Sequence, residues 1–170
     1  MKTRIRQGGF TIIELMITIA VLGVLLALAV PNMRDLVIRN RLTTRTNALV
    51  AAMQLARSEA IKRGVPITVL SISGNTNWAV QGWAVGLNLN NDSDFADAGE
   101  VEFRREDAVT GNSTLTGSVA AIQFFPNGGT NNFSALTLCT TDIAIQNQRR
   151  ISVSISGHMQ TVKADNPSCT

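Results

Sequence analysis

The feature that most constrains this chain is an uninterrupted apolar stretch close to its N-terminus. From Phe10 to Val30 there are 21 residues, and the only ionisable side chain among them belongs to Glu14. A helix rises about 1.5 Å per residue, so this stretch spans roughly 30 Å as a helix, the thickness of the hydrocarbon core of a bilayer. The sequence therefore predicts a membrane-inserted helix that carries a single acid.

The residues before the apolar stretch are not arranged as in an ordinary secretory signal. They are three basic residues (Lys2, Arg4 and Arg6) followed by two glycines (Gly8 and Gly9). A secretory signal has its small-residue cleavage site after the apolar core, so that cleavage removes the core. Cleavage after Gly9 would remove only residues 1–9 and leave the apolar helix in place. By the positive-inside rule, the basic leader stays on the cytoplasmic side, and the chain beyond about Pro31 lies on the far side of the membrane.

A glutamate at position 14 is unfavourable in free energy if the helix lies in a membrane. A carboxylate at the middle of a bilayer costs about 2.5–3.5 kcal/mol, and less near the interface. An anion in lipid needs a cation, and a new α-amine at Phe10 would be the nearest kind available. The alternative is a signal anchor in which the glutamate is accidental.

The residues Gly9-Phe10-Thr11-x-x-Glu14, followed by an apolar helix, resemble the class III leader of type IV pilins and type II secretion pseudopilins. The resemblance implies cleavage between Gly9 and Phe10 by a prepilin peptidase, and N-methylation of Phe10. It also implies that Glu14 pairs with the amino terminus of a neighbouring subunit. The expected partners are other pilins, including minor pilins, the peptidase and an inner-membrane assembly platform.

Charge is unevenly distributed along the rest of the chain. Residues 34–63 carry seven basic groups against Asp35 and Glu59, whereas residues 64–170 carry five basic groups against nine acids. A basic stem and an acidic head would suit head-to-stem contacts between packed copies. A solvated helix face explains the basic residues equally well.

Two periodicities divide the chain. From Pro31 to about Arg63 the pattern is helical, with Leu42, Leu49 and Ala56 repeating at seven, Met53 and Ala60 between them, and Thr46 breaking the stripe. Pro31 lacks an N–H and is expected to kink the helix or to unwind it locally around Ala27–Pro31. Gly64 and Pro66 are expected to end the helix.

After Gly64 the period becomes two, which is typical of strands. The expected strands are Ile67–Ile72, Trp78–Val85 with a break at Gln81-Gly82, Val119–Phe125, Phe133–Cys139, Arg149–Ser156 and Met159–Ala164, with Ser154–His158 at the tip of the last hairpin. The predicted fold is α+β and pilin-like, with one long N-terminal helix packed on an antiparallel β-sheet head. The expected divisions are a leader (1–9), a transmembrane helix (10–30), an amphipathic helix (31–63) and a β-rich head (64–170).

The two cysteines, Cys139 and Cys169, are expected to form a disulfide, since the predicted location lies beyond the inner membrane, where disulfides persist. Such a bridge would close a loop of about 30 residues and contribute about 3–4 kcal/mol on the chain-entropy model. It would also fix the C-terminus to the strand that contains Cys139. A pair of free thiols is the alternative.

Other candidate sites are weaker. The loop from Asn88 to Glu100 is rich in oxygen ligands for Ca²⁺, chiefly Asp92, Asp94, Asp97 and Glu100, but it lacks the EF-hand spacing, and a polar surface turn is the preferred interpretation. Trp83 could be a ligand platform, although a core position fits its alternating strand better. With one histidine, no tyrosine and no metal-ligand spacing, the sequence predicts no enzyme, no cofactor and no metal site.

Within this superfamily the chain is similar to the GspH/FimT/FimU minor pilins. The similarity rests on Ala56-Arg57-Ser58-Glu59-Ala60, the Gly82-Trp83 strand, the acidic loop, the late basic strand ending in Gly157, and the cysteine pair. It implies a minor pilin in a tip complex that primes pilus assembly, first in the bacterial inner membrane with its head in the periplasm and later at the pilus tip. The alternatives are a type II secretion pseudopilin H and a DNA-binding minor pilin.

The DNA alternative has a thin basis in this sequence. DNA-receptor relatives resemble one another in a Gly-Arg-x-Arg motif in the last hairpin, whereas Gly157 is followed here by His158, Met159 and Gln160. Arg149, Arg150 and Lys163 are left as candidate phosphate contacts. Solvation and cross-strand pairing explain these three residues as well.

The leader assignment predicts the effect of Gly9→Val. The larger side chain should block processing, because the cleavage site requires a small residue before Phe10. The full-length precursor should then accumulate, as measured by immunoblot of membranes against the wild-type protein. A mature-sized band from this variant would contradict the proposed cleavage site.

Overall fold

The computed structural model of the protein describes residues 9–140 and 147–164. The chain forms two compact units that divide between Val37 and Ile38. We call the unit up to Val37 the anchor unit and the unit from Ile38 onwards the head unit.

One long helix, α1 (Ile12–Arg63), provides most of the anchor unit and the first element of the head unit. Its acidic residue Glu14 lies in the first turn, while Lys62 and Arg63 lie in the last turn, which suits both ends of the helix dipole. Gly64 ends the helix in a left-handed conformation (φ 70°), and its N–H donates to the carbonyl of Ala60 at 3.0 Å. The predicted end of the helix is therefore confirmed.

The helix continues without a break through Pro31. Of the two effects predicted there, a kink or local unwinding around Ala27–Pro31, the unwinding is wrong. Proline removes only its own N–H from the helical ladder, and the hydrogen bonds of the flanking turns hold the helical backbone on both sides.

The apolar stripe of the second half of α1 is buried in the head unit. Leu42, Leu49, Met53, Ala56 and Ala60 are all at most 4% exposed, as the seven-residue repeat predicted. Thr46, which breaks the repeat in sequence, is also buried at 4%, because its Oγ1 donates to the carbonyl of Leu42 at 2.8 Å. A threonine whose hydroxyl is bonded to its own helix can occupy an apolar stripe without an unsatisfied polar group.

The described part of the head unit contains eight strands. They are β1 (Ile67–Ser71), β2 (Trp83–Leu87), β3 (Val101–Glu106), β4 (Ser113–Gly117), β5 (Ala121–Phe124), β6 (Ser134–Thr140), β7 (Asn147–Val153) and β8 (Met159–Ala164). Sheet 1 has the order β3-β2-β1-β5 and sheet 2 the order β4-β6-β7-β8, with antiparallel pairing throughout. The predicted α+β fold is confirmed, and its β-structure is divided between two sheets.

A single hydrophobic core joins the helix stripe to both sheets. Its largest fully buried side chains, all less than 2% exposed, are those of Trp78, Trp83, Phe124, Leu49, Met53, Ile67, Leu115, Ile122, Leu136, Ile151 and Val69. Burial of Trp83 confirms the core interpretation of this residue over the ligand platform. The core therefore fixes the last part of α1 to the strands of the head unit.

Five of the predicted strands agree with β1, β5, β6, β7 and β8 to within a few residues. The second half of the sixth, Trp83–Val85, lies in β2 and is also confirmed, but Trp78–Val80 forms a turn and not a strand. The reason lies in Trp78, which is fully buried. Its backbone N–H donates to the carbonyl of Leu115, and its indole N–H to that of Val119, both at 2.9 Å. The turn is fixed by these bonds with the Trp78 side chain buried in the core, so its apolar residues follow no strand period.

β3 and β4 were not predicted from the sequence. β3 (VEFRRE) is largely exposed and charged, and β4 (STLTG) buries only Leu115 and Gly117. Both are edge strands, so one side of each has no neighbour in its sheet. Strands with so little apolar content give no alternating pattern to recognise.

The packing predicts a large stability loss for Leu49→Ala. Leu49 is 1% exposed, and removal of a fully buried leucine side chain typically costs about 2–5 kcal/mol. The free energy of unfolding of the full chain in detergent micelles, followed by denaturant titration, measures the loss. Leu89→Ala is the matched control, because Leu89 is 60% exposed and its truncation should change stability by less than about 0.5 kcal/mol. Equal losses in the two variants would contradict this description of the core.

Candidate assembly site

The start of α1 is closed by a reciprocal pair of side chains, Thr11 and Glu14. The Thr11 hydroxyl accepts a hydrogen bond from the Glu14 backbone N–H at 3.3 Å. In return, Glu14 Oε2 accepts from both the backbone N–H and the hydroxyl of Thr11, each at 3.1 Å. This is a capping box, which satisfies backbone donors that the first helical turn would otherwise leave unpaired.

This role of Glu14 was not predicted from the sequence. The signal was present, because Thr11-x-x-Glu14 directly before an apolar run is the sequence signature of a capping box. The prediction for Glu14 concerned only its pairing with the amino terminus of a neighbouring subunit.

The cap engages only part of the Glu14 carboxylate. All of its hydrogen bonds are made through Oε2, and Glu14 forms no ion pair with any residue in the described part of the chain. Oε1 is therefore available to a cation from outside the chain. An additional charge-assisted bond to this oxygen would not require the cap to break.

Gly9 and Phe10 precede the helix and are exposed. The Phe10 side chain is 91% exposed, and a Cβ added at Gly9 would meet no other atom within 4 Å. The fold itself therefore does not require glycine at position 9. Any intolerance of a larger residue there would come from a processing enzyme and not from folding.

The helix that follows exposes a nearly continuous apolar surface. Every large apolar side chain from Phe10 to Val30 is more than half exposed, and the 18-residue window of highest mean hydropathy, at 2.7, has none of its residues buried. The hydroxyl of Thr18 donates to the carbonyl of Leu15 at 2.8 Å, which reduces the cost of placing this polar group in an apolar surrounding. These are the properties of a membrane-anchoring segment.

The basic stem and the acidic head are joined in part by contacts within the head unit. Arg45 approaches Glu106 at 3.9 Å, and Arg63 stacks over the Phe103 ring at 4.5 Å. Glu59 pairs with both Arg63 and Lys62, and the hydrogen bond from Arg63 holds the pKa of Glu59 below its ordinary value. Some of the charge asymmetry is thus satisfied without a second copy of the chain.

The edge strand β3 carries its own ion pairs. Arg104 donates to Glu106 through both Nε and Nη2, and Arg105 donates to Glu102 in the same way. The bond to Glu102 raises the pKa of Arg105 above its ordinary value. The exposed face and edge of β3 are therefore covered by paired charges.

The acidic loop is organised by its own hydrogen bonds. Oxygens of Asp92, Asp94 and Glu100 lie within 4.8 Å of one another, whereas the Asp97 carboxylate accepts from Asn90 Nδ2 at 2.6 Å. Three of the four candidate Ca²⁺ ligands come together, and Asp97 is not among them. Each of the three carboxylates also accepts from a backbone N–H within the loop. Asp92 accepts from the N–H of Asp94, Asp94 from that of Ala96, and Glu100 from those of Leu89 and Asp97. These bonds explain the polar turn without a cation.

The candidate DNA-contacting residues lie on two faces of sheet 2. Arg149 pairs across the strands with Leu138 and Lys163, on the face that also carries buried Ile151. Arg150 points to the opposite face, because successive residues of a strand alternate. The structure therefore brings Arg149 and Lys163 together and separates Arg150 from them.

Cys139 is buried in β6, with 2% of its surface exposed. Cys169, its predicted disulfide partner, lies outside the described residues. The bridge stays a prediction.

Two protein families match this sequence. The family described as type II transport protein GspH matches residues 45–157, and the prokaryotic N-terminal methylation motif matches residues 4–30. The first covers more than half of the chain and corresponds to most of the head unit. The second contains Gly9, Phe10 and Glu14.

Similar proteins of known name are fimbrial. A fimbrial protein of Pseudomonas aeruginosa is 36% identical over 74 residues, 44% of this chain and 47% of that protein. A type IV major alpha-pilin of Moraxella bovis is 41% identical over 42% of this chain and 43% of its own length. Fimbrial protein EcpB of Eikenella corrodens is 30% identical over 65% of this chain and 72% of its own length. This chain thus spans about half the length of the first two.

The fold is also similar to a solved structure. The type IV minor pilin FimU of Pseudomonas aeruginosa superimposes with a TM-score of 0.63 over 78% of this chain and 97% of its own. The two sequences are 22% identical, so this likeness concerns the fold. The predicted pilin-like architecture is confirmed.

The capping box predicts that Thr11→Ala will loosen the first turn of α1. Loss of an N-cap hydroxyl costs about 0.5–2 kcal/mol, so amide hydrogen exchange at residues 12–15 should become roughly 2- to 30-fold faster. Exchange is measured on the full chain in detergent micelles. Thr11→Ser, which keeps the hydroxyl, is the control and should exchange close to the wild-type rate. Equal exchange in both variants would show that the cap contributes nothing.

Proposed function

Because this chain belongs to the GspH family of type II transport proteins, we propose that it is a minor pilin of a type IV pilus, present in low abundance in a tip complex that primes assembly of the fibre. The fimbrial names of its relatives and the likeness of its fold to FimU support a pilus over a secretion system. Its role is assembly and not catalysis.

The observation that carries the proposal is the state of Glu14. Its carboxylate is held at the start of an exposed apolar helix, with one oxygen in the cap and the other available. Removal of the leader after Gly9 would create an α-amine at Phe10, and on a neighbouring subunit that amine is the matching cation. In a low-dielectric surrounding the attraction between the two charges is much stronger than in water.

Assembly then follows from the cost of an unpaired charge. A processed subunit waits in the inner membrane with its head in the periplasm, and Glu14 is incompletely compensated there. Contact with the N-terminus of another subunit neutralises both groups and favours transfer of the helix from lipid into a bundle of similar helices. The head unit is carried to the pilus tip, where its lateral surface contacts other minor pilins.

A second candidate function is that of a type II secretion pseudopilin of the H kind, which the description of the matching family favours. The chemistry at Glu14 would be the same in both systems. The pilus and the secretion system are therefore distinguished by the cellular effect of losing the protein. Deletion of the gene should abolish piliation or twitching if the chain serves a pilus. It should abolish exoprotein export with pili intact if the chain serves secretion.

The function as a DNA receptor is less well supported by the geometry. A nucleic-acid backbone is bound by a row of cations on one surface, and Arg150 lies on the face of sheet 2 opposite to Arg149 and Lys163.

The role of Glu14 is tested by comparing Glu14→Ala with Glu14→Gln. Glutamine can occupy this position of a capping box, so Glu14→Gln keeps the cap and removes only the charge. Both variants should insert into the membrane normally, and both should be recruited into sheared fibres at least about tenfold less than wild type, the loss of a charge pair in low dielectric. Recruitment is measured by immunoblot of the sheared and membrane fractions.

The glutamine variant distinguishes the two roles of the residue. If Glu14→Gln assembled like wild type while Glu14→Ala failed, the cap and not the charge would drive assembly. Wild-type recruitment of both variants would overturn the proposed mechanism.

A further inference from the structure

A groove on the head unit lies where the last turns of α1 meet the turn between β7 and β8. It encloses about 500 Å³. Helix residues Gln54, Arg57, Ser58 and Ile61 form one wall, and His158 and Met159 are on the other side. The lining is chemically mixed, since it combines hydrogen-bonding groups with the apolar side chains of Ile61 and Met159.

The Arg57 side chain lines this groove and is held in place by a backbone carbonyl of the head unit. Its Nε donates to the carbonyl of Gly128 at 2.9 Å. Gly128 and Gly157 both have positive φ, at 80° and 74°. A Cβ at Gly157 would overlap the Gly128 carbonyl and lie 3.1 Å from Arg57 Nε, so the close approach of these segments requires glycine.

The two turns around Arg57 are also tied to each other. The backbone N–H of Thr130 donates to the carbonyl of Ile155 at 2.8 Å, and the Thr130 hydroxyl lies within hydrogen-bond distance of the carbonyls of Asn132 (3.0 Å) and Ser154 (3.1 Å). Because both turns are held in place, the guanidinium group has a defined position before any ligand arrives. Such a preorganised group loses little conformational entropy on binding.

The charge of Arg57 has no counterion in the described part of the chain. Five ion pairs are formed there, and none of them includes Arg57. Its Nε is committed to Gly128, which leaves the Nη groups for another acceptor. A half-buried guanidinium is usually compensated, so this arrangement is typical of a site that receives an anion.

We propose that this groove binds a carboxylate side chain from an acidic segment of the neighbouring subunit in the fibre. Arg57 would pair with the carboxylate, Gln54 and Ser58 would supply further donors, and Ile61 and Met159 would contact the aliphatic part of the incoming residue. The inference rests on the proposed function, since it requires assembled subunits. It adds a head contact to the helix contact made by Glu14.

Charge complementarity favours an acidic protein segment as the occupant. Four acids and no basic residue lie from Asn88 to Glu100 of this chain, and the acidic side chains of that loop are largely exposed, so this head unit itself displays carboxylates of the kind that the groove would take. A phosphate backbone would need several cations in a row, whereas Arg57 is the one cationic side chain among the described residues that line the groove.

The first test fills the groove from within the chain. Gln54 is exposed and lies three residues before Arg57 on the helix, so Gln54→Glu places a carboxylate beside the guanidinium without disturbing its bond to Gly128. Recruitment into sheared fibres should fall at least about tenfold, as for loss of a partly buried charge pair. Gln81→Glu is the matched control, because Gln81 is exposed and outside the groove. It should assemble like wild type.

Two variants of Arg57 separate charge from folding. Arg57→Gln removes the charge and should lower recruitment as much as Gln54→Glu, while Arg57→Lys keeps the charge and should recover part of it. Membrane insertion and protease resistance of the head in the full chain report folding for each variant. Full recruitment of folded Gln54→Glu would overturn the proposal, and so would equal failure of the Gln and Lys variants.

The occupant is identified by a photo-crosslinking amino acid at position 54 of the full chain in fibre-producing cells. The expected adduct joins this chain to another fibre subunit through a peptide that contains Asp or Glu at the crosslink. An adduct only with peptides that lack acids would overturn the proposal. Loss of fluorescent duplex DNA binding in Gln54→Glu with recruitment intact would assign the groove to nucleic acid instead.

These outcomes are distinguishable from failure of the proposed function. If Glu14→Gln is excluded from fibres while Gln54→Glu enters them, assembly through Glu14 stands and the groove proposal fails. If Glu14→Gln is recruited normally, the proposed assembly mechanism fails whatever the groove variants do.

Discussion

The exposed apolar surface of the first half of α1 is the constraint on which the rest of the structure depends. More than half of each large apolar side chain from Phe10 to Val30 is uncovered by the chain itself. At about 25 cal/mol per Å² of apolar surface, exposing this helix to water has a large cost in free energy, which covering the surface removes. It must be covered by lipid or by other helices. Those two surroundings differ little in polarity for the apolar residues, so the apolar surface alone does not decide between them.

Glu14 is the group that can decide. In lipid its carboxylate has only the Thr11 cap, whereas a bundle of subunits can add a cation to the second oxygen. In the proposed mechanism, one helix therefore serves both environments with the same backbone. Its second half is fixed in a conventional core by Leu49, Met53 and Ala56, which leaves the head unit to make specific contacts at the far end, including those proposed for Arg57.

The sequence predicted those parts of the structure in which one physical effect dominates. The exposed first part of the helix followed from the apolar run, the buried stripe of its second part from the seven-residue repeat, and the helix end from Gly64. β3 could not be recognised, because its stability comes from backbone pairing with β2 and from Arg–Glu contacts, not from an apolar period. The turn at Trp78 was predicted as a strand because Trp78 and Val80, two residues apart, look like the start of an alternating pattern. Trp78 is apolar for a different reason, which is that the turn buries it. The groove at Arg57 depends on two turns, at Gly128 and Gly157, that are distant in sequence and meet only in the fold.

The paired charges on β3 have a consequence for how this head unit meets other protein surfaces. An uncovered sheet edge is a template for strand addition, and crowded copies of one head could join edge to edge into an irreversible aggregate. Glu102, Arg104, Arg105 and Glu106 make that edge costly to dehydrate. The β3 edge of sheet 1 is thereby a poor template for strand addition.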